Sequence, residues 1–170
     1  PGSLLVLRSS GHYPPGIEAG LLKRFGAAGF EAGRVRIDPK VIGYDRHLAT
    51  YEEIDIGLDP FPYNGGTTTV EALYMGVPVL AKAGDRYVAH MGESILHNAG
   101  LPEWIAADAD EYAALGARFA RDLDGLADLR AGLRARMLAS PLFDAPRFAR
   151  NFEAALRGMW GAWCAAQRRA

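Results

Sequence analysis

The stretch IDIGLDPFPYNGGTTTVEALYMGVPVL, residues 54–80, decides the fold of this chain. Its first five residues carry Ile54, Ile56 and Leu58 in a short apolar run, which is typical of a strand end buried in a sheet. Prolines, an asparagine and two glycines follow in residues 60–66 and exclude regular structure there. The sequence therefore predicts a strand that runs into a tight loop which other molecules can approach closely.

A helix is predicted from Thr67 to Met75, because apolar side chains recur at spacings of three and four residues. Gly76 and Pro78 end it, and residues 77–81 form the next predicted strand. The first N–H groups of a helix have no acceptor within the helix, and the helix dipole places partial positive charge there. With glycines just before it and three threonines at its start, this helix favours a phosphate or diphosphate.

An alternative that needs no ligand accounts for part of the same pattern. Thr68 and Glu71 have the T-x-x-E spacing of a capping box, in which the two side chains bond the helix N-terminus. The pair Asn64-Gly65 is an ordinary turn signal.

The rest of residues 1–108 alternates between strand and helix. Predicted strands lie at residues 4–7, 35–37 and 104–106, and predicted helices at residues 17–25 and 44–53. Such alternation predicts an α/β fold, a Rossmann-like parallel sheet flanked by helices, whose ligand crevice lies at the carboxyl ends of the strands.

Residues 109–170 are predicted to be helical. Asp108 or Asp110 caps a first helix, which carries Leu123 on its apolar face, and Ser140-Pro141 ends a second. Asp144 caps the last helix. Its apolar stripe, predicted to face inward, is Phe148, Phe152, Leu156, Met159 and Trp163.

Composition narrows the function classes. With 170 residues, 49% hydrophobic and 23% charged, the chain has the size and composition of one globular domain. A net charge of -1 offers no basic field for nucleic acid, and no apolar run reaches transmembrane length. The single cysteine, Cys164, excludes an internal disulfide and suits the cytoplasm. Because Pro1 stands almost directly before a strand, we expect the chain to be part of a longer protein.

From about His47 onward, the sequence resembles the O-linked N-acetylglucosamine transferase family, the SPINDLY-like, tetratricopeptide-linked protein glycosyltransferases. The resemblance rests on LDPFPYNGGTTTVEALYMGVPVL and continues through AGDRYVAHMGESIL, GLPEWIA and SPLFD. It implies a GT-B type enzyme with two Rossmann-like domains, of which this chain is the C-terminal, donor-binding one. In such two-domain enzymes the last helix often reaches back to the other domain, so the resemblance also implies that Trp160 and Trp163 are partly exposed in this chain.

The resemblance also implies which residues bind the donor. His47 matches a histidine against the uracil, and residues 39–44 should contact the base edge. Thr67 and Thr68 match two threonines that hold the diphosphate, and Glu71 matches an acidic residue on the ribose hydroxyls. Three positions depart from the family pattern: Tyr44 replaces a frequent lysine, Gly66 a histidine found in some members, and His90 an arginine.

The activity implied is metal-independent transfer of a sugar, expected to be N-acetylglucosamine from its UDP donor, to serine or threonine hydroxyls of a protein. The catalytic lysine is expected upstream, in an N-terminal half that contacts the acceptor protein and is linked to tetratricopeptide repeats. We therefore expect this chain to hold no catalytic residue, no cofactor and no metal site, and to be inactive by itself. Two alternatives remain: a non-catalytic binding domain with the same fold, and another Rossmann-like enzyme such as a dinucleotide oxidoreductase, against which the missing GxGxxG argues.

Overall fold

A computed structural model describes residues 2–8, 16–31, 33–38 and 43–167. Residues 9–15, between the first predicted strand and helix, lie outside these ranges, as do residues 39–42 of the segment expected to contact the base edge. The chain divides into two compact units, Pro1–Ala49 and Thr50–Ala170, which are described separately below.

The first unit contains two parallel strands and two helices. They are β1 (Leu5–Arg8), α1 (Ile17–Ala27), β2 (Val35–Asp38) and α2 (Tyr44–Ala49). Leu5 stands opposite Val35 in the ladder. At its carboxyl end, Arg8 and Arg36 both form ion pairs with Asp38. Although burial acts to raise the pKa of Asp38, the hydrogen bonds and charges of the two guanidinium groups outweigh it and hold that pKa below its usual range.

The second unit contains the loop and helix predicted from residues 54–80. Its strands are β3 (Gly57–Leu58), β4 (Val79–Lys82) and β5 (Ile105–Ala106), and its α-helices are α3 (Thr67–Tyr74), α4 (Met91–Asn98), α5 (Ala109–Phe119), α6 (Leu123–Leu138) and α7 (Ala145–Gln167). Single 3-10 turns lie at Thr50–Glu53, Tyr87–Ala89, Pro102–Trp104 and Pro141–Phe143. The three strands are parallel in the order β3-β4-β5. The predicted α/β architecture of parallel strands and helices is confirmed, with β3 shorter than the predicted strand.

The core of the second unit surrounds the central strand, β4. Val79, Leu80 and Ala81 are buried there, which fits a strand covered by helices on both faces. Helices α3, α4 and α6 each contribute fully buried side chains, represented by Leu73, Leu96 and Leu133. Because β4 and these helices are fixed by close packing, the loop between β3 and α3 begins and ends on rigid elements.

Side-chain caps set several helix boundaries. The Asp108 carboxylate accepts from Glu111 N at 2.8 Å, and that of Asp144 accepts from Arg147 N at 3.0 Å, which confirms both predicted caps. The prediction that Leu123 continues the apolar face of α5 is wrong. Asp122 caps a new helix there by accepting from Gly125 N at 3.0 Å, and Leu123 is exposed.

The prediction of an inward-facing stripe on the last helix is also wrong for this chain. The stripe lies on one side of α7, but no residue of that helix is buried. All five predicted side chains are exposed, as is Trp160. The helical spacing was therefore informative about the helix and gave no information about what covers its apolar side.

Candidate functional site

The loop between β3 and α3, residues 59–66, is anchored by Asp59. The backbone N–H of Asp59 donates to Leu80 O at 2.9 Å and so extends the pairing of β3 with β4. Its Oδ1 accepts from Gly65 N at 2.6 Å, which closes the loop on itself. The Phe61-Pro62 peptide bond within the loop is cis. Asp59 therefore holds the glycine segment against the end of the strand.

Asn64 fixes the same loop from its other side. It is 2% exposed, and its Nδ2 donates to Pro60 O at 3.2 Å. Its backbone N–H donates to Val88 O at 3.0 Å, which ties the loop to the segment that precedes α4. Because Asp59 and Asn64 are both buried, they fix the positions of Gly65 and Gly66 from the core side of the loop.

Helix α3 begins directly after this loop with Gly66 at its N-cap. No side chain caps the helix, and Gly66 O accepts from Thr69 N at 3.1 Å and Val70 N at 3.2 Å. The capping-box alternative is therefore wrong, because Thr68 occupies the second helical position and not the cap. Helical geometry leaves the N–H groups of Gly66, Thr67 and Thr68 without acceptors inside the helix, and the positive end of the helix dipole is located there.

Next to this helix end lies a pocket of about 300 Å³. It is lined by Tyr63, Asn64, Gly66, Thr67, Tyr87, Val88 and Met91. Thr67 begins α3 and Met91 begins α4, so the N-termini of two helices contribute to one pocket. The two tyrosines at its edges are 70% and 80% exposed. Such a site offers N–H donors to an anion and aromatic rings to a flat or apolar group.

Two ionisable side chains on the core side of the pocket, those of Asp59 and Tyr112, have raised pKa values. Burial raises the pKa of Asp59 to about 6, against a smaller opposing effect of the hydrogen bond from Gly65 N. Burial, with the nearby charge of Asp59 in second place, raises the pKa of Tyr112 to about 12. The Tyr112 hydroxyl donates to Asp59 O at 3.0 Å, and its ring packs edge-on against Phe61 with centroids 5.4 Å apart.

Replacing Tyr112 by phenylalanine tests whether its hydrogen bond to Asp59 O stabilises the chain. The ring contact with Phe61 is kept and the hydrogen bond to Asp59 O is lost, so we expect a loss of about 1 kcal/mol in the free energy of unfolding. Urea denaturation measures it. Because Tyr74 packs its ring on Phe143, with centroids 5.7 Å apart, Tyr74→Phe is a control that removes a hydroxyl from another tyrosine whose ring contacts a phenylalanine. Equal losses in the two variants would contradict a specific role for the Tyr112 bond.

The structure brings together part of the predicted donor site. Gly66 and Thr67 line the pocket. Thr68, in the next position of α3, is exposed, and Glu71 lies one helical turn further along, on the side of Thr67. Tyr44 and His47 lie on α2 in the first unit, with Tyr44 exposed and His47 half-buried. The donor-binding roles of all six residues, Gly66 and Thr67 included, remain predictions.

Three charged residues near the loop do not line this pocket. Lys82 Nζ donates to Ala83 O at 3.0 Å and lies 5.1 Å from the centre of the Phe61 ring. His90 precedes α4, and its Nδ1 pairs with Glu93 Oε2 at 3.0 Å. Arg86 lies exposed before the 3-10 turn at Tyr87–Ala89.

Within the described ranges, no group of three or more histidine, cysteine, aspartate and glutamate side chains is placed to hold a metal ion. No helix in those ranges has the length and apolar character needed to cross a membrane.

Several residues that shape the pocket were missed in the sequence: Asp59, Asn64, Met91 and Gly92. Asp59 and Asn64 were read as a strand end and a turn, yet an acidic residue between a strand and an Asn-Gly turn is also able to bond the turn backbone. That spacing is the signal that could have found them. Met91 and Gly92 lie about a helix and a strand further along the chain, and no local pattern links them to the loop.

Parallel strands with intervening helices, and a glycine loop opening onto a helix N-terminus, define the class of nucleotide-binding α/β proteins. Comparison with known proteins gives the family. The sequence model described as glycosyl transferase family 41 matches residues 1–152. A probable UDP-N-acetylglucosamine–peptide N-acetylglucosaminyltransferase SPINDLY from Arabidopsis thaliana is 38% identical over 164 residues, covering 96% of this chain and 18% of that protein. The corresponding protein from Hordeum vulgare is also 38% identical, over 96% of this chain and 17% of its own length.

A solved structure agrees in sequence and in fold. A mutant of the O-GlcNAc transferase of Thermobaculum terrenum is 34% identical to this chain with a TM-score of 0.89, covering 98% of this chain and 32% of that one. The chain therefore belongs to glycosyl transferase family 41, and its fold is that of part of a GT-B glycosyltransferase. It spans less than a fifth of the length of the two plant relatives.

Proposed function

We propose that this chain is the donor-binding part of a protein O-glycosyltransferase and that its donor is a UDP-sugar, UDP-N-acetylglucosamine in the first place. The observation that carries the proposal is the pocket at the N-terminus of α3, where Gly66 and Thr67 present unpaired helix N–H groups beside a 300 Å³ space. Family membership supports the chemistry, because the plant relatives are named as probable UDP-N-acetylglucosamine–peptide N-acetylglucosaminyltransferases.

Each donor group has a proposed partner. The diphosphate accepts hydrogen bonds from the N–H groups at the start of α3 and from the hydroxyls of Thr67 and Thr68. Glu71 accepts from the ribose hydroxyls, since two carboxylate oxygens match a vicinal diol. His47 and Tyr44 are proposed to contact the base.

The chemical role follows from the leaving group. Breaking the bond between sugar and diphosphate develops negative charge on UDP, and helix N–H groups and hydroxyls stabilise that charge without a metal. The sugar then passes to a serine or threonine hydroxyl. We propose that the catalytic lysine, the acceptor-binding surface and any tetratricopeptide repeats belong to other parts of a longer protein, so this chain binds the donor and does not turn it over.

Titration calorimetry with UDP tests the donor site. We expect a dissociation constant in the micromolar to millimolar range, and about tenfold weaker binding by Thr68→Val, which loses a hydroxyl that donates to a charged group. Ser94→Ala is the matched control, because it removes an exposed hydroxyl from α4 away from the pocket. UMP should bind more weakly than UDP, and NAD should not bind. Equal affinity of the Thr68 and Ser94 variants, or an affinity for NAD equal to that for UDP, would contradict the proposal.

A second assay separates donor binding from catalysis. The chain is incubated with radiolabelled UDP-N-acetylglucosamine and an acceptor protein rich in serine and threonine, and transfer of label is counted. We expect none above a blank without protein. Transfer by this chain would contradict the assignment of the catalytic residues to another part of the protein. Failure of the chain to bind UDP at all would favour the alternative of a domain that keeps the fold without the donor site.

A further inference from the structure

Two buried oxygen atoms beneath the pocket have no hydrogen-bond partner. They are Asp59 Oδ2 and Asn64 Oδ1, and each exposes less than 1 Å². The residues are 4% and 2% exposed, so bulk water does not supply the missing donors. Leaving a buried acceptor unpaired is costly, and native proteins rarely leave one without a partner.

Both side chains converge on the first turn of α4. A Cβ atom at Gly92 would lie 2.6 Å from Asp59 Oδ2 and 3.4 Å from Asn64 Cγ. The two unpaired oxygens therefore belong to side chains that pack against the same glycine. Both unpaired atoms are acceptors, because an ionised carboxylate has no hydrogen to donate and the Asn64 amide directs Nδ2 toward Pro60 O. A proton on Asp59 Oδ2 is the smallest addition that gives one of these two acceptors a hydrogen to donate.

We propose, on the basis of the proposed donor site, that nucleotide binding places a proton on Asp59 Oδ2, which then donates to Asn64 Oδ1. The neutral carboxyl keeps Oδ1 as the acceptor of Gly65 N–H, so the glycine loop stays in place. Solvent supplies the proton. Asp59 is in this way a positioning residue that carries no charge while the diphosphate occupies the loop above it.

The electrostatics of the site favour proton uptake by Asp59 when a nucleotide binds. The only groups that shift the pKa of Asp59 within the described ranges are its buried surroundings, which raise it to about 6, and Gly65 N. A diphosphate close to Gly66 and Thr67 adds negative charge and raises that pKa further. The elements around Asp59 also carry ionisable groups, which are Lys82 of β4, Glu71 of α3, the His90–Glu93 pair at α4 and Tyr112 of α5.

Calorimetry with UDP in buffers of different ionisation enthalpy measures the proton directly. At pH 7.5 the terminal phosphate of UDP has already ionised, since its pKa is about 6. We expect uptake of at least about half a proton for each UDP bound, and an affinity that falls up to about tenfold for each pH unit above 7. Asp59→Asn keeps an oxygen for Gly65 N–H and offers an N–H to Asn64 Oδ1, so it should bind UDP without uptake.

The possible outcomes distinguish this inference from the proposed function on which it rests. Uptake that persists in Asp59→Asn would come from another group, such as His90, and would overturn the inference. UDP binding by the wild-type chain without uptake would also overturn it, and would fit an Asn64 amide turned so that Nδ2 faces the carboxylate. This second measurement needs no variant and holds even if Asp59→Asn does not fold. Absence of UDP binding at every pH would refute the proposed function and this inference together.

Discussion

Gly92→Ala is expected to destabilise the chain by about 2–3 kcal/mol, the upper part of the range of about 1–3 kcal/mol for forcing an extra methyl group into a packed core. A Cβ at residue 92 would lie 2.9 Å from Ala81 Cβ and 2.6 Å from Asp59 Oδ2. Ala81 belongs to the central strand, and Asp59 anchors the loop below the pocket, so neither has room to move. The displaced loop should also weaken UDP binding. Thermal and urea denaturation give the stability, and titration gives the affinity.

Gly132→Ala provides the matched control. Gly132 lies inside α6, is exposed, and has no atom within 4 Å of the position that a Cβ would take. The same chemical change should therefore stabilise the chain by about 0.5–1 kcal/mol, because glycine is unfavourable inside a helix. If the two variants changed stability in the same direction and by similar amounts, the packing of α4 against the loop would be wrong.

The second large effect is on the pH dependence of stability. The pKa of Asp59 is raised to about 6 in the folded chain from an ordinary value of 3.8. The stabilisation that this proton gives is fully present below the ordinary pKa, falls as the pH rises, and is lost above about 6. Two pKa units correspond to about 3 kcal/mol. Asp59→Asn cannot ionise, so relative to this variant the wild-type chain should lose about 2–3 kcal/mol between pH 4 and pH 7.

Urea denaturation at several pH values tests this expectation, with Asp128→Asn on the exposed side of α6 as control. The difference in the free energy of unfolding between wild type and Asp59→Asn should grow from pH 4 to pH 7, whereas the difference for Asp128→Asn should stay near zero. If the difference in the free energy of unfolding between wild type and Asp59→Asn did not vary with pH, the pKa of Asp59 would not be raised in the folded chain. That result would contradict the burial of Asp59.

The sequence was sufficient for the parallel strands, the glycine loop and the helix after it, because local chemistry determines them. Glycine, proline and threonine restrict the backbone within a few residues, and the caps at Asp108 and Asp144 act over a single turn. Local chemistry does not show in the same way that the apolar stripe of α7 is exposed. The expected exposure of Trp160 and Trp163 came from the resemblance to two-domain enzymes, and it is confirmed. Helical spacing shows that a helix has an apolar side, and only the remainder of the fold decides whether that side is covered.

The residues of the candidate site also differ in whether the local sequence determines their positions. Gly66 and Thr67 belong to the motif itself, and the structure places them at the pocket. The burial of Asp59 and Asn64 depends on Gly92, which is distant in sequence and reaches them only through the packing of α4. A capping box was equally compatible with the letters T-x-x-E. The structure excludes it because the helix begins two residues too early for Thr68 to be its cap.

Amide NMR of the labelled chain during a titration with UDP tests the central claim most directly. The account predicts large shifts for the N–H groups of Gly66, Thr67 and Thr68, since these would donate to the diphosphate, and small shifts at the start of α5, which Asp108 already caps. Shifts that saturate with UDP but are confined to residues away from the β3–α3 loop would contradict it.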